Sequence, residues 1–319
     1  MEQSPENNNN NNNFERLALA VESLVKQERW TRRFANFLKL AIAAYVIFFI
    51  YLAVQKLNVI DSPAASTTGN AHVAMIKIEG PIVPGTKISA EVINPLLEKA
   101  FSNRSSKAVI ILANSPGGSP VQSAMINDEI TRLKALHKKP VYVVVEDMCA
   151  SGCYYIAVAA DKIFADKGSM IGSIGVRMDT FGLTGLMEKL GIENRSMHAG
   201  NHKAFIDPFS EKDEEGRQFF QKMILEKTHQ QFIATVRAGR GDRLQETPET
   251  FSGLVWLGED AVKNGLIDEL NTVGGVARDI IGETNINVYS PQKSFMEEIM
   301  GDITSQTSAK LALILSSMR

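Results

Sequence analysis

From Leu40 to Val54 the chain runs for fifteen residues without a polar side chain. At about 1.5 Å per helical residue that run spans only ~22 Å. Extending it from Phe37 to Leu57 gives ~31 Å, enough for a ~30 Å hydrocarbon core. Lys39 and Lys56 near its ends can carry their ammonium groups to the interface. Tyr45, Phe48, Phe49 and Tyr51 point all round the helix, so no polar face remains for a buried core helix, and one transmembrane helix is predicted over 37–57. Ahead of it, Phe14 to Trp30 has an amphipathic pattern, with Leu17, Val21, Leu24 and Val25 on one side. That helix could lie on a membrane, self-associate or lead into the span. Residues 1–36 therefore form an N-terminal region whose Asn7–Asn13 tract lacks apolar surface to offset ordering entropy.

Beyond the span, residues 58–71 include the small, polar stretch DSPAASTTGN, a linker. The pattern then changes period. Short β-rich runs occur at Val73–Ile78, Ala108–Ala113, Val141–Val145 and Ile171–Val176. Helical patterns lie between them at Ser89–Phe101, Val121–His137 and near Tyr154–Ala160. Alternating strands and helices predict an α/β domain over 72–290 with mainly parallel pairing. A longer amphipathic helix is expected over Glu211–Arg237, burying Phe219, Phe220, Met223, Ile224, Phe232 and Val236. Two further segments, Leu257–Asn264 and Val273–Ile281, adjoin glycines. The tail 291–319 carries Phe295, Ile299, Ile303 and the Leu311–Leu315 run, a content that favours packing over disorder.

Charge changes this picture. The whole chain of 319 residues is balanced, with 34 Lys+Arg against 36 Asp+Glu, which argues against a basic nucleic-acid-binding surface over the molecule. By segment it is uneven: residues 14–39 carry +3, residues 40–55 none, and residues 56–319 carry −3. Lys26, Arg29, Arg32, Arg33 and Lys39 precede the span, and after Lys56 no Lys or Arg follows until Lys77. The positive-inside rule places the N-terminus in the cytoplasm and residues 58–319 across the membrane; in an inner or plasma membrane the expected location of the α/β domain is extracytoplasmic, in the periplasm. A cleaved signal peptide fits poorly, because its charged region would be about 39 residues long. The two cysteines exclude a disulfide-rich scaffold and a four-cysteine zinc site.

Two segments could carry chemistry. Asn114-Ser115-Pro116-Gly117-Gly118-Ser119 follows a predicted strand and precedes a helix. Its glycines could expose backbone N–H groups to an anion, or simply make a tight turn. No Gly-Lys-Ser/Thr follows, so it is not a P-loop. Met148-Cys149-Ala150-Ser151-Gly152-Cys153 also stands at a strand-to-helix junction. There Ser151 could project as a nucleophile, following the logic of a nucleophile elbow without its G-x-S-x-G pattern, or could serve as a helix N-cap. None of the five histidines offers an obvious partner. His198 and His202 lack a third metal ligand, and loop or core roles suit them better. Lys203, among small and apolar neighbours, is the alternative base if it is desolvated, and otherwise an ordinary surface lysine.

These residues resemble the signal peptide peptidase A family of membrane-anchored serine peptidases. The resemblance covers roughly residues 72–290. It rests on Glu79-Gly80-Pro81-Ile82, the Asn-Ser-Pro-Gly-Gly-Ser turn, Ala150 to Ala157, Gly172-Ser173-Ile174-Gly175-Val176, and Gly200-x-x-Lys203-Ala204 running into Asp207-Pro208-Phe209, all in that order. It implies a Clp protease/crotonase-like fold with repeated β-β-α units and a Ser-Lys dyad. Ser151 would be the nucleophile, Lys203 the general base and Ser173 the group orienting the lysine. Gly118 and Gly152 would form the oxyanion hole, with Gly117 and Ser119 lining the substrate. It implies no metal or other cofactor. It also implies extended apolar peptides such as remnant signal peptides as substrates, contact with membrane lipid, and a homo-oligomeric ring. The competing expectations are a regulatory protease cutting one membrane protein, an acyl-CoA enzyme of crotonase type, and a non-catalytic scaffold. Cys153 departs from the family's usual glycine. An oxidising compartment would permit a bridge to Cys149, but the backbone turn between them favours two buried free thiols.

Overall fold

The computed structural model describes residues 70–291 and eight positions between 39 and 48. The chain divides into two units, Met1–Thr68 and Gly69–Arg319. In the first, the described positions are helical, and Leu40, Ile42, Tyr45, Ile47 and Phe48 are exposed. Among the described residues no helix is long and apolar enough to cross a membrane. The expected span 37–57 lies outside the described residues except at those eight positions. The Asn tract, the amphipathic helix over 14–30, most of the linker and nearly all of the tail lie outside them too.

The second unit is a mixed α/β domain around one sheet. Strands β1 (His72–Glu79), β2 (Ser106–Ser115) and β3 (Val141–Ala150) are long and parallel, with β1 beside β2 and β2 beside β3. Short strands complete it: β4 (Lys162–Ala165), β5 (Met170–Gly172), β6 (Val255–Leu257), β7 (Glu269–Leu270) and β8 (Ile286–Tyr289). The path runs β6-β5-β3-β2-β1-β8, with β4 pairing β3 and β7 off it. Every pairing is parallel except β5 with β6.

Parallel strands need crossovers, and the helices provide them. Helix α1 (Ala90–Ser102) joins β1 to β2, and α2 (Pro120–His137) joins β2 to β3. The pleat sends alternate residues to opposite faces. Ala74, Ile76 and Ile78 of β1 enter the larger core under α1 and α2, with Ile93, Leu97, Ile126, Ile130 and Leu133. Val73 and Met75 enter the smaller core with Ile110, Leu112, Phe164 and Val276. Both faces of the central strands are covered, which is why they read as unbroken apolar runs.

Helix α3 (Gly152–Ala157) follows β3, and α4 (Thr184–Leu190) lies in the segment after β5. The long helix expected over 211–237 is interrupted. It consists of α5 (Glu214–Phe220), a π-helical turn (Gln221–Leu225) and α6 (Glu226–Arg240). Only its second half carries the predicted stripe inward: Phe232 and Val236 are buried, whereas Phe219 is 64% exposed and Met223 and Ile224 are exposed. The wider π turn shifts the helical phase, so one apolar face cannot run the whole length. The strand expected over Ile171–Val176 stops at Gly172, because Ser173 adopts φ +52° and turns the chain. Helix α7 (Gly258–Lys263) lies within the expected 257–264 segment, and residues 273–281 are α- then π-helical.

Candidate active site

The ends of β2 and β3 meet at the site. After β2 the chain turns through Gly117 (φ +93°) and Gly118 (φ +155°) into α2. Ser115 Oγ accepts a hydrogen bond from the Gly117 amide, and Ser119 Oγ accepts one from Gln122 N, capping α2. The segment after β1 clamps the turn from outside: Ile82 N donates to Gly117 O and Ser119 N to Ile82 O. A Cβ on Gly118 would lie 2.1 Å from Ile82 O, so only glycine fits there.

After β3 the chain passes through Ser151 at φ +53°, ψ −123°, a conformation that non-glycine residues keep only where their surroundings enforce it. Ser151 occupies the N-cap position of α3, yet its hydroxyl makes no capping bond. Its amide is held instead, donating to Gly172 O at 2.8 Å. Among the described residues the hydroxyl of this half-buried residue makes no hydrogen bond, as an available nucleophile would require.

The glycine turn packs against this elbow. A Cβ on Gly117 would lie 2.6 Å from Gly152 N and 2.8 Å from Ser151 Cβ. One on Gly152 would lie 3.2 Å from Gly118 N and 2.4 Å from Ser123 Oγ. Gly152 opens α3, where an N–H has no intrahelical partner, and among the described residues neither its amide nor that of Gly118 donates to a turn or cap. Two unspent donors beside an uncommitted hydroxyl suit an acyl-transfer oxyanion. Ser173 lies alongside, because Ala150 is in register with Gly172. Its positive φ and its amide bond to Leu254 O at 2.7 Å fix the backbone there.

Lys203 stands apart. It lies in an exposed turn where its amide bonds to Gly200 O, and among the described residues no hydrogen bond or ion pair joins its ammonium to Ser151, Ser173 or a carboxylate. The neighbouring His202 pairs with Asp213 at 2.8 Å, and Asp213 caps α5 through Gly216 N. The hydrogen bond to Asp213 raises the His202 pKa. Asp213 is lowered by its bond from Gly216 and then by His202. Among the described residues no cluster of ligands could hold a metal ion.

The two cysteines overturn the expectation of free thiols. Cys149 and Cys153 form a disulfide, with Cα atoms 5.1 Å apart. The turn at Ser151 had argued against a bridge, but it folds the first turn of α3 back over the end of β3 and brings the two within bonding range. Sequence reading also missed residues that shape the site from outside: Ser123, Leu254, and His229, whose Nε2 donates to Ile174 O at 3.1 Å. None has a linear signal, because each acts through a contact distant in sequence.

The model of peptidase family S49 matches residues 134–286. Among curated proteins, a chloroplastic serine protease SPPA of Arabidopsis thaliana is 34% identical over 266 residues, covering 79% of this chain and 37% of its own. A protein named as a protease from Synechocystis is 31% identical over 208 residues, covering 65% of this chain and 72% of its own. The chain spans 31% of two longer relatives from Brucella, both named as Na(+)/H(+) antiporters and 38% identical over 231 residues. A stomatin-specific protease in complex with a substrate peptide aligns at a TM-score of 0.44 and 17% identity, over 74% of this chain and 99% of its own.

Proposed function

We propose, given that the chain belongs to peptidase family S49, the signal peptide peptidase A family, that it is a membrane-anchored serine endopeptidase of Clp protease/crotonase-like fold using a Ser-Lys dyad. The observation that carries this reading is the elbow. Ser151 holds a positive φ with an uncapped hydroxyl beside the unspent amides of Gly118 and Gly152. Ser151 Oγ attacks the scissile carbonyl, and Lys203 Nζ takes the hydroxyl proton. The two glycine amides stabilise the oxyanion, each donor of this kind being worth ~100-fold or more in rate. The lysine then returns the proton to the leaving amine, and water hydrolyses the acyl-enzyme by the same steps. Ser173 orients the amine. No cofactor takes part.

A general base must be neutral before it accepts a proton, and desolvation favours the neutral amine. In this reading desolvation comes from a neighbouring protomer and the bound peptide. The exposed Phe219, Met223 and Ile224 support a homo-oligomeric ring that covers the surface near the Lys203 turn. The substrates are extended apolar peptides, including remnant signal peptides, paired as an added strand along the segment of Gly117 and Ser119. The anchor at 37–57 leaves the N-terminus in the cytoplasm and the domain in the periplasm. Such peptides begin in the bilayer, so an enzyme tethered there meets them at raised local concentration.

The test is peptide hydrolysis and fluorophosphonate labelling by the full chain in detergent, beside Ser151→Ala and Lys203→Ala. The proposal expects labelling at Ser151 in the native chain and loss of hydrolysis in both variants. Equal hydrolysis by all three would end it.

A further inference from the structure

The Cys149–Cys153 bond brackets Ser151, two residues away on either side. Its two ends are anchored differently. Cys149 lies within the sheet, in register with Ser115 of β2 and Ile171 of β5, and is fully buried. Cys153 lies in the first turn of α3, buried in the same core. That helix has six residues, too few to hold its own first turn by helical hydrogen bonds alone. The later part of the helix is secured independently. Tyr154 Oη donates to Leu266 O at 2.7 Å, and Asn127 Nδ2 donates to Tyr155 O at 2.7 Å. Between the anchored strand and the anchored end of the helix, the elbow is held by the Ser151 amide bond to Gly172, the Tyr155 N bond to Ser151 O, and the disulfide.

We infer that the Cys149–Cys153 disulfide is a positioning brace for Ser151 and a reversible redox site. Closed, it keeps the hydroxyl against the Gly118 and Gly152 amides; opened by a thiol reductant, it lets the elbow relax toward ordinary backbone angles. The inference rests on the peptidase reading for its catalytic consequence, but not for the conformational one. Opening proceeds by attack of a reductant thiolate on one sulfur, giving a mixed disulfide, which the reductant's second thiolate resolves. Two electrons and two protons pass to the cysteine pair, and the dithiol leaves as its cyclic disulfide. Closure is the reverse exchange with oxidised glutathione, which leaves as two thiols. Both sulfurs are buried, so attack requires a local opening of the elbow and is slower than at a surface bridge.

The experiment compares the full chain in three forms: oxidised, reduced with dithiothreitol, and Cys149→Ala/Cys153→Ala. Alkylation and mass measurement establish the thiol state of each. The readouts are kcat and KM for peptide hydrolysis, the rate of fluorophosphonate labelling, and amide hydrogen exchange over residues 149–157 and over β1 and β2. A displaced nucleophile is expected to lower kcat and labelling roughly ten- to a hundredfold with KM little changed. Exchange should rise over 149–157 but not in β1 and β2, and oxidised glutathione should restore both properties. The double variant should be slow with or without reductant. Unchanged exchange over 149–157 in reduced protein overturns the brace, as does a double variant that matches the oxidised chain. Exchange rising across the whole sheet also overturns it, since the bridge would then be a general staple. If the oxidised chain neither hydrolyses nor labels while reduction still raises exchange over 149–157, the peptidase reading fails and the brace stands.

Discussion

At the scale of single residues, the site depends on three small side chains that tolerate almost no addition. Gly152 does not occupy the left-handed region, so alanine fits its backbone, but the new Cβ would meet Ser123 Oγ at 2.4 Å. Gly152→Ala is therefore expected to slow labelling of Ser151 about tenfold or more, while melting stays close to that of the native chain. Adding Ser123→Ala removes the obstructing oxygen and should recover much of that rate; no recovery would place the defect elsewhere. His202 offers a check on the lysine turn. Its pKa is raised by the bond to Asp213, so the ion pair is complete below about pH 6.5 and is lost as pH rises through the higher folded value. An NMR titration of His202 should find a midpoint above ~6.5 that falls back toward ~6.5 in Asp213→Ala.

At the scale of elements, α6 is tied to the sheet by a buried ion pair. Arg240, with a side chain 1% exposed, makes two hydrogen bonds to Asp268 and one to Gly265 O, and Arg243 adds a third bond to the same carboxylate. Asp268 also accepts from Ile163 N, which joins the α6 end to β4. Burial pushes the Asp268 pKa up, but the bonds from Arg240 and Ile163 outweigh it, and the net direction is downward. That contribution is present above the unfolded value near pH 3.9 and is lost as pH falls through the lower folded one. Asp268→Ala would leave the buried Arg240 guanidinium without its carboxylate and should cost about 3–5 kcal/mol in denaturant unfolding. A loss below 1 kcal/mol would mean that water reaches the guanidinium.

At the scale of the whole molecule, the proposed dyad requires a dry environment for Lys203, which is exposed in the single chain. If neighbouring protomers complete the site, inactive Ser151→Ala and inactive Lys203→Ala chains should regain partial hydrolysis when mixed, because some interfaces then carry both native residues. Phe219→Glu with Met223→Glu, on the exposed side of α5 and the π turn, should lower the assembled fraction in sedimentation and reduce hydrolysis with it. Recovery without assembly, or assembly unaffected by two buried charges, would count against the ring.

The strands β1, β2 and β3 and the helices α1 and α2 were legible in the sequence because their signals are local: short apolar, β-rich runs for strands buried on both faces, and apolar residues every third to fourth position for the helices. The positions of Ser151, Gly117, Gly118 and Gly152 at strand-to-helix junctions were legible for the same reason. The disulfide and the broken helix over 214–240 were not. Each depends on how a turn or a phase shift places groups in space. A positive φ at Ser151 brings two cysteines together, and a π turn rotates an apolar stripe away from the core. The sequence by itself determined the α/β order and the family to which the chain belongs, since both are written in runs of adjacent residues. Only the tertiary structure decided that the hydroxyl of Ser151 makes no capping bond and that the Gly117-Gly118 turn packs against Ser151 and Gly152, since those depend on segments about thirty residues apart meeting at the edge of the sheet.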